Sequence, residues 1–172
     1  IKILEDNAAL KAKMNELGLR NKEFFKVDIG DVVLDAWMIK PINFDPQKKY
    51  PLLVHVYGEP AGPTVQDNWG TGDNLWHHYL SNQLDYIVVS IDNRGTRVPR
   101  GRDFRKSIYR QIGLLAADDQ AKAAKKIVVT YSFIDEKRIG IWGWSGGGQM
   151  SLHCMFRHPD IYKSSIAVAF VS

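Results

Sequence analysis

The chain has 172 residues and a single cysteine, Cys154. One cysteine excludes an internal disulfide and a cysteine-built metal cluster, and it says nothing about redox compartment. Long hydrophobic runs are missing too. Nothing approaches the ~20 apolar residues that cross a bilayer as a helix, and the opening residues do not read as a secretory leader. The sequence contains no internal repeat and no low-complexity tract, and it opens on Ile1 rather than methionine, as expected of a processed product or an excised piece. Acidic residues are scarce in one place: Arg94, Arg97, Arg100, Arg102, Arg105, Lys106 and Arg110 are met in their own stretch only by Asp103. The expectation there is a solvated loop with ordinary ion pairs; a contact surface is the alternative, and nucleic acid is not an expected partner.

What remains is an ordinary globular composition, 45% hydrophobic and 24% charged with a net charge of +4. The length suits one domain able to bury a real core. Residues 4–18 read as a helix, with Asp6 as cap, Leu10, Met14 and Leu17 on one face, and Gly18 at its end. Phe24 to Ile29 and Val32 to Ile39 read as a hairpin turning at Gly30-Asp31, and Pro41 stops the second strand. Alternation of strand and helix follows. Leu52 to Tyr57, Tyr86 to Ile91, Ile139 to Trp142 and Ile166 to Val171 are unbroken apolar runs, the pattern of strands covered on both faces. Leu75, Trp76, Tyr79 and Leu80 mark one helix face. Ala117, Ala121, Ala124 and Val128 mark another, with Asp118 and Asp119 suiting its first turn. The reading is an α/β domain: a mostly parallel sheet with an N-terminal antiparallel hairpin.

One stretch carries chemistry. Ile139 to Trp142 runs directly into Gly143-Trp144-Ser145-Gly146-Gly147, and a helix can follow. Strand, sharp turn, serine and helix make up the nucleophile-elbow context of G-x-S-x-G. The pattern alone is weak, and its context strengthens it. Glycines two residues either side of Ser145 leave room for the chain to double back. The Gly146 N–H would lie at a helix N-terminus, suited to an oxyanion.

Such a site also needs a base and a group that orients it. After Ser145 the chain offers His153, His158 and Asp160. His153 lies eight residues down the helix, roughly 12 Å from its start at 1.5 Å per residue, so neither histidine reaches the hydroxyl. His55, His77 and His78 precede the serine, where core or surface roles are expected. The triad is incomplete, and the sheet is expected to be truncated after about its sixth strand.

Seven stretches together carry a resemblance: Leu4 to Leu10 (LEDNAAL), Trp37 to Pro41 (WMIKP), Lys48 to Pro60 (KKYPLLVHVYGEP), Asp92 to Thr96 (DNRGT), Asp118 to Gln120 (DDQ), Arg138 to Gly148 (RIGIWGWSGGG) and Ile166 to Ser172 (IAVAFVS). In that order they resemble the dipeptidyl peptidase IV branch of the prolyl oligopeptidase family. The resemblance implies an α/β-hydrolase fold, with residues 1–20 linking from a β-propeller and 21–172 forming part of the catalytic domain. It also implies a serine exopeptidase releasing N-terminal dipeptides, Xaa-Pro or Xaa-Ala, without cofactor or metal. Ser145 matches the nucleophile. Tyr57 matches the tyrosine whose hydroxyl joins the Gly146 N–H in the oxyanion hole. Trp144 and Val171 fall where the pocket is lined, and Arg94 matches a loop arginine serving either substrate contact or a structural ion pair. Gly146 departs from the pattern, standing where many relatives carry a tyrosine that walls the proline pocket, so strict proline preference is not implied. The family's aspartate, histidine and paired glutamates fall outside these residues, and the isolated piece is expected to be inactive. Peptides are the implied partners, homodimers are common in the family, and the periplasm or cell envelope is the implied location. The competing readings are an esterase or acylaminoacyl peptidase on the same fold, and a non-catalytic binding module.

Overall fold

Branched and aromatic residues cluster in six short runs, and each becomes a strand of one mixed sheet. The computed structural model describes residues 3–68 and 73–171, so Ser172 lies outside the described residues. The strands are β1 (Glu23–Asp28), β2 (Val33–Ile39), β3 (Tyr50–His55), β4 (Ile87–Asp92), β5 (Ile134–Trp144) and β6 (Ser164–Val168). The helices are α1 (Ala8–Leu17), α2 (Asp73–Leu84), α3 (Gly101–Lys106), α4 (Leu114–Thr130) and α5 (Gly146–Arg157). The strand order is β1-β2-β4-β3-β5-β6. β1 and β2 form an antiparallel hairpin, and β2 lies antiparallel on β4. β4, β3, β5 and β6 are parallel neighbours. This is the mostly parallel sheet with an N-terminal antiparallel hairpin that the sequence implies, and the α/β-hydrolase arrangement that the resemblance implies.

Alternation along the strands sends side chains to two cores. On one face Leu34, Ala36, Met38, Leu52, Val54, Ile87, Val89, Ile91, Ile139 and Ile141 pack with the alanine stripe of α4 and with Met150 and Cys154 of α5. Alanine at Ala117, Ala121 and Ala124 lets α4 approach closely while keeping strong helix propensity. On the other face Trp37, Ile39, Leu53, Val88 and Trp142 pack with Leu80 of α2. Full burial of one large aliphatic side chain contributes about 1.5–3 kcal/mol, so these two layers dominate stability.

The structure corrects several local expectations. α2 is rotated relative to its apolar stripe: Leu75, Trp76 and Tyr79 are exposed, while His77, His78, Leu80 and Ser81 are buried. The sheet presents two indoles there, and flat imidazoles fit among them. The rings of His55 and His77 lie 4.7 Å apart, with Trp142 4.9 Å from His55 and Trp37 5.5 Å from His77. Burial, with the nearby Lys22 charge, pushes His55 down to about 4; burial, with the charges of its neighbours, pushes His77 down to about 2. Asp118 and Asp119 are not in the first turn of α4, because that helix begins at Leu114, after Gly113 at φ 85°. The basic stretch contains the short helix α3. Near the chain start, α1 begins at Ala8 rather than residue 4, with Asn7 and not Asp6 at the N-cap position; Asp6 accepts the Ala8 N–H at 2.8 Å, Gly18 does end the helix, and α1 buries none of its residues.

Candidate active site

At the end of β5 the chain reverses on Ser145, whose backbone sits at φ 55°, ψ −119°. A side-chain-bearing residue enters this region only when its surroundings force it to. Two neighbours do so here. A Cβ at Gly143 would collide with the Gly147 backbone and the Val56 carbonyl oxygen. One at Gly147 would collide with that same oxygen and lie 3.2 Å from Tyr57 Cα. Glycine at both positions therefore lets the chain leaving β3 press directly against the elbow. Behind it, a Cβ at Gly148 would lie 2.9 Å from the Val168 carbonyl oxygen and 3.0 Å from Phe170 Cβ.

α5 then begins. Its first intrahelical bond runs from the Gln149 N–H to the Ser145 carbonyl at 3.1 Å. The amides of Gly146 to Gly148 precede that bond, so they are the donors at the positive end of the helix. Ser145 is half-buried, and its hydroxyl has no hydrogen-bond partner among the described residues.

Tyr57 owes its place to the loop that follows β3. The Val56 N–H bonds the Trp142 carbonyl at 2.9 Å, so β3 and β5 run side by side to the elbow. Gly58, at φ 76°, packs on Met150 of α5. The Asn93 amide donates to the Gly58 carbonyl at 3.2 Å and the Arg94 carbonyl at 2.8 Å, and is itself oriented by Gln120, which donates to Asn93 Oδ1 at 3.0 Å and the Ile91 carbonyl at 2.7 Å. Farther along, Asp92 accepts the Thr64 N–H at 2.8 Å, its hydroxyl at 3.1 Å and the Val65 N–H at 3.3 Å, while Trp37 Nε1 donates to the Thr64 carbonyl at 2.8 Å. Burial pushes the Asp92 carboxyl up, and the hydrogen bonds from Thr64 and Val65 oppose that rise. The loop bearing Tyr57 and Glu59 is thus pinned at both ends.

Arg94 is engaged within the fold. Its Nη2 lies 2.6 Å from Asp119 Oδ1, its Nε 3.0 Å from Asp119 Oδ2, and its Nη1 2.9 Å from Asp31. Asp119 is fully buried, and this fork joins β4, α4 and the hairpin turn. Trp144 is 60% exposed and Val171 52% exposed, so the elbow opens to solvent on their side. His153 packs against Gly113, and His158 Nε2 lies 2.9 Å from Asp118 Oδ1. His55, His77 and His78 belong to the α2 side of the sheet. No histidine of the chain is hydrogen-bonded to Ser145 in the described structure. Among the described residues, no group of three or more His, Cys, Asp or Glu is placed to hold a metal.

Three residues near the elbow escaped sequence reasoning. Asn93 and Gln120 lie inside quoted motifs, but their polar contacts span about thirty residues of chain and carry no local signal. The third is Glu59, whose carboxylate lies directly against Gly146.

Comparison with known proteins bears on this geometry. The sequence profile of the prolyl oligopeptidase family matches residues 73–172. The chain is 38% identical over 172 residues to prolyl endopeptidase FAP of Bos taurus, covering 100% of this chain and 22% of the relative. It is 37% identical over 175 residues to a probable dipeptidyl peptidase 4 of Emericella nidulans, with the same coverage. The crystal structure of Porphyromonas gingivalis dipeptidyl peptidase 4 superposes with a TM-score of 0.90 at 40% identity, covering 98% of this chain and 23% of that one. The chain therefore spans about a fifth of the length of the curated relatives it matches.

Proposed function

Because the chain belongs to the prolyl oligopeptidase family, we propose that it is the nucleophile-bearing part of a serine exopeptidase that releases N-terminal dipeptides, Xaa-Pro or Xaa-Ala, through an acyl-enzyme. The observation that carries this reading is the Ser145 backbone at φ 55°, ψ −119°, held between two glycines that tolerate no Cβ. Strain of this kind persists only where surrounding packing over-determines it, and it concentrates at reactive residues.

The steps follow from the parts. Ser145 Oγ attacks the carbonyl carbon after the second substrate residue, and the carbonyl oxygen gains negative charge. The Gly146 N–H, at the positive end of α5, and the Tyr57 hydroxyl donate to that oxygen. Donors preorganised for the developing charge contribute most of the acceleration such sites achieve. The histidine base takes the Oγ proton as the new bond forms and gives it to the leaving amine as the bond to that amine breaks. The dipeptide remains as an ester on Ser145 until water releases it. Trp144 and Val171 line the pocket for the residue before the cleaved bond. Arg94, occupied by Asp119 and Asp31, supports the strand end from which Asn93 holds the Tyr57 loop. The histidine base and its orienting acid are assigned to the rest of the full-length protein, since no histidine among the described residues is hydrogen-bonded to Ser145. These residues alone are expected to be inactive.

The experiment is turnover by the full-length gene product of Ala-Pro and Ala-Ala amides with a free amino terminus, beside N-acylated and ester substrates. Selective cleavage of the free-amine dipeptidyl amides supports the reading. Cleavage confined to the blocked peptide or the ester contradicts it.

A further inference from the structure

Resting on the dipeptidyl peptidase reading, we propose that Glu59 is a specificity-determining residue, its carboxylate lining the subsite for the residue before the cleaved bond, so that beyond Pro and Ala a positively charged side chain is accepted there over a negatively charged one. The geometry begins at Gly146. A Cβ on this residue would collide with Cδ and Oε1 of Glu59 and lie 2.7 Å from Oε2. The carboxylate therefore occupies the space into which a side chain following the nucleophile would project.

That space adjoins the reacting atoms. The attacked carbonyl carbon bonds to Ser145 Oγ while its oxygen faces the Gly146 N–H. The substrate side chain in question hangs from the carbon next to that carbonyl, so it passes over Gly146 and meets whatever covers it.

What covers it is an unbalanced charge. Glu59 is half-buried and takes part in no hydrogen bond or ion pair among the described residues. The positive end of α5 favours a carboxylate at this place, which accounts for where it rests. A helix end supplies only partial charge, and a half-buried carboxylate gains further from a full cation within reach. An anionic substrate side chain would meet like charge and be disfavoured. The backbone that carries Glu59 is fixed, because Gly58 beside it is held by Asn93 and packs on Met150.

The test uses the full-length gene product and three dipeptidyl amides that share a first residue and carry Lys, Ala or Glu second. The wild type is expected to cleave the Lys substrate with a higher kcat/KM than the Glu substrate. Glu59→Gln should lower that Lys-to-Glu ratio about tenfold, the loss that removing one charge-assisted hydrogen bond brings. Glu59→Asp should retain the preference, and Glu59→Lys should reverse it. The ratio is read within one protein, so a smaller folded fraction cancels. An unchanged ratio, or an equal loss on all three substrates, overturns the assignment and leaves the dipeptidyl peptidase reading standing. A wild type that cleaves none of the three, nor the Ala-Pro amide, overturns both.

Discussion

The backbone N–H of Ser145 donates to the Val168 carbonyl at 2.9 Å, tying the strained residue at the end of β5 to the last residue of β6. On the opposite side, the Val56 carbonyl fills the room that a Cβ on Gly143 or Gly147 would need. The conformation of Ser145 is therefore imposed by two neighbouring strand ends, as well as by the turn itself.

Gly143→Ala and Gly147→Ala test that packing. The colliding atoms are backbone on both sides, so no side chain can swing away, and the elbow itself must shift. A displacement of about 1 Å at the nucleophile costs on the order of a hundredfold in rate. Each variant of the full-length gene product is expected to lose at least that much kcat/KM, measured on a dipeptidyl amide, while retaining its circular-dichroism spectrum.

Tyr57→Phe removes the proposed side-chain donor to the oxyanion and keeps the ring. A fall in kcat of about 10²–10³-fold with little change in KM is expected, since the donor acts on charge that develops only in the transition state. Steady-state kinetics checks the division between the two constants.

The Arg94–Asp119 pair is the charged link between β4 and α4. Truncating Arg94 to Ala strands a fully buried carboxylate, and losses of about 3–5 kcal/mol attend such cuts. Replacing both residues together, as Arg94→Met with Asp119→Leu, should recover much of that loss. Denaturant unfolding of the single and double variants measures the difference, and a double variant no better than Arg94→Ala would count against the assignment.

The stacked histidines give stability a pH dependence of known sign. His55 and His77 are held neutral, with values pushed down to about 4 and about 2, whereas an unfolded chain protonates them near 6.5. As pH falls through 6.5 the unfolded state gains protons that the folded state does not take. Stability therefore drops, down to about pH 4 through His55 and to about pH 2 through His77. At pH 5 each histidine costs about 2 kcal/mol relative to pH 7. His77→Phe keeps a flat ring and removes one titration, so its loss of stability between pH 7 and pH 5 should be smaller than wild type by that amount.

Much of the fold was legible because local composition and tertiary need agree. The apolar runs at Leu52, Ile87 and Ile139 have no other stable use than a covered sheet, and the glycines around Ser145 fit no other turn so well. Legibility ended where partners lie far apart in sequence. The stripe of Leu75, Trp76 and Tyr79 pointed α2 the wrong way, because Trp37 and Trp142 lie on distant strands and select imidazoles. Asp119 read as a residue of the first turn, although its guanidinium partner lies twenty-five residues earlier. Glu59 carried no signal at all: its importance rests on the missing side chain of Gly146, which reaches it only through the fold.

The most direct test of the central claim is Ser145→Ala in the full-length gene product, assayed on a free-amine Ala-Pro amide. Loss of the nucleophile is expected to lower kcat by about 10⁴–10⁶-fold, with the unfolding temperature close to wild type and covalent labelling by an active-site phosphonate abolished. Turnover by Ser145→Ala at the wild-type rate would contradict the account.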